Sequence, residues 1–177
     1  MASRHNLLKE PAVNLLLTDV KANKLKKVAK PIDKENNLKD FVILYSVSKK
    51  PESHMTALEK MDLVREGISK KDLENFKKKA FLDYDKLAHA LTVTRATLIN
   101  KDKNEKFGSN ISEKIIGLAD IYSYGYEVFE NEEKFNQWMF QPNQALAGNF
   151  PYNLINNQFG REEVRNLIGR IDYGIYS

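Results

Sequence analysis

Arg95 and Asn100 carry side chains that can each form paired hydrogen bonds, to guanine and adenine edges respectively. They stand in the stretch DYDKLAHALTVTRATLINK, residues 83–101, together with Thr94, Thr97 and Lys101. Reading DNA with a helix-turn-helix requires a small residue where the first helix meets the second, an apolar residue after the turn, and apolar anchors on both helices. Ala88, Val93 and the trio Leu87, Leu91 and Leu98 meet those needs. The turn position often filled by glycine is Thr92. Thr94, Arg95, Thr97, Asn100 and Lys101 are therefore the candidate DNA-binding residues, the plainer reading being the solvent face of a short helix. Lys70, Lys71, Lys77, Lys78 and Lys79 come just before and would neutralise phosphates, or simply form a solvated face.

Catalytic constellations are sparse. Asp83 and Asp85 look like a carboxylate pair, but at a helix start they serve as cap and dipole partner. Glu132-Glu133 and Glu162-Glu163 have the same ordinary use, and His89 sits among apolar helix positions. Gly160 and Gly169 follow no strand and precede no Gly-Lys-Ser/Thr, so they cradle no phosphate. With no cysteine and three scattered histidines (His5, His54, His89), thiolate chemistry and a metal site are not expected. The chain reads as a non-enzyme without a cofactor.

The elements that must position these residues can be read from pattern. The 177 residues, 42% of them hydrophobic, suit one compact domain or two small ones. There is no apolar run of about 18 residues and no signal-peptide pattern, which makes a cytoplasmic protein without a membrane partner the expectation. Residues 1–108 hold 23 Lys and Arg against 15 Asp and Glu, whereas residues 109–177 hold 5 against 9. A basic front and an acidic back suggest a part that faces nucleic acid joined to a part with another partner.

Residues 21–40 are rich in Lys and Asn and read as a flexible basic linker between two apolar runs, 13–20 and 40–47. The second run is expected to be a helix that ends before Pro51. Thr56 and Glu59 form a capping box opening a helix with Leu58, Met61 and Val64 on one side, closed by Gly67. Ser69 caps the next, with Leu73 and Phe76 inward. After the polar stretch 100–110, Ser112 is expected to cap a long helix on which Ile115, Ala119, Tyr122, Tyr126 and Phe129 recur. The two tyrosines share a face, in the core or in a dimer seam. Asn131 starts a helix through Trp138, Pro151 starts a short one, and Val164, Leu167, Ile168 and Ile171 mark a last amphipathic helix. Glu162 and Glu163 are expected at its positive end and Arg170 at its negative end. No segment alternates as a strand, so the fold class is all-α. The expected division is an N-terminal extension (1–55, partly flexible), a helix-turn-helix domain (56–108) and a C-terminal helical domain (109–177).

Trp138, Pro142-Asn143, Ala145-Leu146, Gly148, Pro151, Leu154, Gly160, Val164 and Leu167 lead into the terminal run GRIDYGIYS, residues 169–177. In order and spacing this series resembles the MbcA/ParS/Xre antitoxin family, over roughly residues 61–177. The terminal motif is the specific part. This sequence departs from the family's common pattern at Ala147, where a second glycine is frequent, at Phe150 before Pro151, and in its lysine-rich first 60 residues. The resemblance implies an antitoxin of a type II toxin–antitoxin pair. Its partner would be a RES-domain toxin, similar to ADP-ribosyltransferases, that attacks NAD. It also implies a helix-turn-helix domain that dimerises and binds operator DNA to repress the operon. Arg170, Asp172, Tyr173, Ile175, Tyr176 and Ser177 become the toxin-binding candidates. Gly174 would end the helix in a left-handed turn, leaving Ile175, Tyr176 and Ser177 as a plug for the toxin's cleft. Folding of Ile175 and Tyr176 back onto this chain's own core is the alternative, and Arg170 could equally neutralise its own helix terminus.

Overall fold

The computed structural model describes residues 39–174, so the apolar run 13–20, most of the expected linker and residues 175–177 lie outside the described residues. Within 39–174 the expected all-α class is found, and extended pairing is limited to an isolated antiparallel bridge between Ser69 and Lys106.

Side chains that satisfy the free N–H groups at helix starts set the boundaries. Helix α1 (Ala57–Glu66) opens with the expected capping box: Glu59 N–H donates to Thr56 Oγ1 at 3.3 Å, and Thr56 N–H donates to the Glu59 carboxylate at 2.7 Å. Helix α2 (Lys70–Lys79) is capped by Ser69, and α3 (Tyr84–Leu91) by Asp83. Thr94 caps α4 (Arg95–Ile99). Helix α6 (Glu132–Trp138) starts behind Asn131, and α7 (Pro151–Leu154) starts on its proline. Helix α8 (Gln158–Asp172) starts behind Asn157.

Helix α5 (Ser109–Phe129) is the axis, and α1, α6 and α8 pack against it. Its N-cap is Gly108, one turn before the expected Ser112. That serine is fully buried, accepting a hydrogen bond from Ile68 N–H and donating one to the Phe107 carbonyl, both at 3.0 Å. Its hydroxyl therefore holds the preceding loop instead of the helix end. Tyr122 and Tyr126 are shielded from solvent within one chain, which makes them core residues and not a seam. Phe76, Tyr122, Tyr126, Phe129 and Phe135 meet edge to face at 5.1 to 6.0 Å between ring centres. That geometry sets the positive ring edge against the negative face.

Three expectations are corrected. Residues 40–47 do not form a helix: only a single 3-10 turn, Lys39–Phe41, precedes the buried residues Val42, Ile43 and Leu44. The Glu52 carboxylate, itself fully buried, accepts the N–H groups of Ile43 and Leu44 at 3.0 and 2.8 Å. A carboxylate at that distance outcompetes a helical carbonyl for those donors, and its burial raises the Glu52 pKa. On α1, Leu58 and Met61 point outward, 72% and 47% exposed, while Leu63 is the buried residue. Because α8 starts at Gln158, Glu162 and Glu163 lie beyond its first turn and outside the strongest dipole field.

Candidate functional site

The helix-turn-helix candidates lie on α4 and at its two ends, packed beside α3. Thr92, at the turn, takes the left-handed backbone (φ 54°) that glycine adopts without strain. Its hydroxyl donates to the Leu91 carbonyl at 2.7 Å and meets the Lys114 ammonium, contacts that hold the turn from the end of α3 and from α5. Helix α4 has five residues, about 7.5 Å of rise. Thr94, Arg95, Thr97 and Asn100 are exposed on it.

Several of these groups already have partners. The Thr94 hydroxyl caps α4 by accepting from Thr97 N–H at 3.2 Å. Arg95 donates to both Asp85 carboxylate oxygens, at 2.9 and 3.2 Å, with both side chains largely in solvent. Lys101 is half-buried, pairs with Glu105 and lies over the Phe107 ring at 5.4 Å. An exposed pair such as Arg95–Asp85 is worth little and opens readily for a phosphate or a base.

The lysine row divides in two. Lys70 donates to the Ile99 and Lys101 carbonyls, at 2.6 and 2.8 Å, and so closes the end of α4. Lys79 binds the Asp40 carbonyl at 2.6 Å, Tyr45 at 2.8 Å and Glu132 at 3.1 Å. These two amines hold the fold together, while Lys71 and Lys78 are exposed. The remaining chemical candidates are absorbed locally: Asp83 caps α3, Asp85 meets Arg95, and His89 stacks on Tyr152 at 5.7 Å. Among the described residues no group of His, Asp or Glu could hold a metal ion, and no helix is long and apolar enough to cross a membrane.

The second surface is the end of α8. Val164, Leu167, Ile168 and Ile171 are buried, as their spacing predicts, and anchor the helix on α5. Inside the terminal motif Ile171 thus points inward, while Tyr173 is 80% exposed. Gly174 has φ 69°, the left-handed turn expected to stop the helix. Gly160, near the start of α8, has a packing reason: a Cβ there would lie 1.8 Å from the Leu154 carbonyl oxygen.

Polar side chains that the sequence did not single out support this end. Asp120 on α5, almost fully buried, receives Lys60 from α1 at 2.6 Å and Arg165 from α8 at 2.9 Å. Arg165 lies over the Tyr124 ring, 5.1 Å from its centre, and the Tyr124 hydroxyl donates to Asp172 at 3.4 Å. Partial burial, with Asp172 close by, raises the Tyr124 pKa. Arg170 pairs with Glu163 at 3.4 Å, so within this chain it has a partner on its own helix. One sequence signal was available: Tyr124 sits between Tyr122 and Tyr126, about 200° around the helix from each, and therefore had to face something other than the aromatic core. The candidates Ile175, Tyr176 and Ser177 lie outside the described residues.

Ala147, a departure from the family pattern, has φ 54°, a left-handed backbone that explains why glycine suits the position. Residues 125–174 match the model of a family described as the antitoxin Xre/MbcA/ParS C-terminal toxin-binding domain. The matched segment runs from the second half of α5 to Gly174, and so takes in α6, α7, α8 and Tyr173. The chain is similar to the Prs ADP-ribosylating antitoxin of Sphingobium sp. (strain YBL2), 23% identical over 130 residues, which cover 68% of this chain and 82% of that protein. It is also similar to the antitoxin Xre of Photorhabdus laumondii subsp. laumondii, 32% identical over 73 residues, which cover 41% of this chain and 49% of that one. The resemblance to MbcA/ParS/Xre-type antitoxins is therefore borne out.

Proposed function

We propose that this chain is the antitoxin of a type II toxin–antitoxin pair. It binds a RES-domain toxin that consumes NAD, and blocks that toxin's active site with the end of α8 and residues 175–177. In the same reading residues 109–177 face the toxin, while residues 56–108 bind operator DNA through α3 and α4 as a homodimer in the cytoplasm. One observation carries the reading: the match to a toxin-binding domain ends on a helix whose inner face is anchored and whose last side chain, Tyr173, stands in solvent. A tyrosine presented in this way is the type of residue that dominates protein interfaces. Catalysis is left to the toxin, so the purified chain alone should leave NAD intact.

The test is co-expression with the product of the neighbouring gene. The full chain should restore growth, and a chain lacking residues 174–177 should fail to do so while melting at an unchanged temperature. Full protection by the shortened chain would rule out the plug. A free-standing transcription regulator is the second reading, favoured by the exposed Arg95, Thr97 and Asn100 on α4. It requires that the chain copurify with itself alone.

A further inference from the structure

An open cleft of about 790 Å³ lies between the turn joining α2 to α3 and the helix α6 with the residues that follow it. Phe81, Lys86, Glu133, Gln137, Phe140 and Gln141 are among its walls. Phe81 stands out for two separate reasons. Its backbone is left-handed (φ 52°), in the position just past the end of α2 where Leu82 N–H reaches the Lys77 carbonyl and Phe81 N–H the Lys78 carbonyl. That pair of bonds is a Schellman ending, whose left-handed residue is ordinarily glycine. A bulky side chain there is strained, and this one is 64% exposed, so packing within the chain offsets little of the strain. An observed backbone outlier that gains little in its own fold points to a use outside it.

The opposite wall supplies the partner. Glu133, Gln137, Phe140 and Gln141 fall inside the segment that matches a toxin-binding domain, whereas Phe81 and Lys86 fall outside it. Phe140 is held on its inner side by stacking on Tyr152 at 4.6 Å, and the Lys86 ammonium lies over its ring at 5.6 Å. Two phenyl rings and an ammonium shared with the exposed Asp83 thus meet in one cleft.

We infer that this cleft is a second docking point for the toxin, which extends the binding surface from the matched segment onto the helix-turn-helix half through Phe81. It takes a protruding apolar side chain of the toxin between Phe81 and Phe140, next to an acidic group for Lys86. The inference rests on the antitoxin reading, and its test separates the two. Phe81→Gly removes the ring and relieves the left-handed backbone, while Phe81→Asn keeps a side chain of a type that tolerates it. Each full-length variant is titrated calorimetrically with the purified product of the neighbouring gene and melted alone. Both should melt at or above the wild-type temperature and bind at least tenfold more weakly. Wild-type affinity in both variants would remove Phe81 from the interface while leaving the antitoxin reading in place. A melting temperature lowered by several degrees in both would make Phe81 a packing residue. Loss of a homodimer with toxin affinity unchanged would assign the cleft to a second copy of the chain. Absence of binding by the wild-type chain would overturn both readings.

Discussion

Thr92 and Ala147 adopt the same left-handed backbone with different consequences. Thr92 recovers part of the strain through its hydroxyl, which reaches Leu91 and Lys114. Ala147 has no polar side chain with which to do so, and it is exposed after the 3-10 turn Gln144–Leu146. Left-handed backbone costs an L-residue about 1–2 kcal/mol, of which glycine's larger unfolded-state entropy returns part. Ala147→Gly should therefore stabilise the protein by about 0.5–1 kcal/mol, measured by urea unfolding with the slope unchanged. A loss of stability would mean that the methyl group packs against something the strain argument ignores. At this scale the departure from the family pattern becomes intelligible: the backbone needs a left-handed residue at 147, and alanine supplies it under strain.

At the scale of elements, α1 tests what periodicity can tell. Leu58, Met61 and Val64 share a face by spacing, and a helix with such a face normally turns it inward. Here the ion pair from Lys60 to the buried Asp120 fixes the helix rotation with Leu63 inward and Leu58 in solvent. Leu63→Ala should cost about 2–4 kcal/mol through the cavity it leaves. Leu58→Glu should change stability by less than about 0.5 kcal/mol, as exposed substitutions do. Chemical denaturation of the two variants side by side checks the rotation, and equal losses would mean that the Leu58 face is packed as well. Helix α8 is the opposite case. Four apolar residues at regular spacing, backed by Arg165 on Asp120, left it a single way to lie on α5.

At the scale of the whole molecule, the expected boundary near residue 108 crosses a shared core. Phe76 of α2 meets Tyr122 of α5 at 5.1 Å, and Tyr126 and Asn136 both donate to the Lys79 carbonyl at 3.0 Å. Tyr152 donates to the Lys86 carbonyl at 2.9 Å. Residues 109–177 expressed alone should consequently show no cooperative thermal transition by circular dichroism, whereas the full chain melts in one. A fragment that melts cooperatively would show that the back half folds by itself. Such coupling would also place the surface around α4 and the end of α8 on one rigid frame, which the cleft at Phe81 requires.

Whatever depends on near neighbours could be read from the residues alone. Thr56, Ser69, Asp83 and Asn131 satisfy N–H groups three residues away, so these helix starts were legible, unlike that at Ser112, which found a more distant use, and that of α8, which lies before Glu162. The inner face of α8 and its stop at Gly174 were legible for the same reason, and the ordered terminal motif carried the resemblance. The rest depends on contacts between segments far apart in the chain. Glu52 reaches back across eight residues to unmake a helix, and Asp120 draws cations from residues 60 and 165. Phe81 is left outside on a strained turn. Spacing states that a face exists, whereas what covers it depends on charges and surfaces brought together only when distant segments meet.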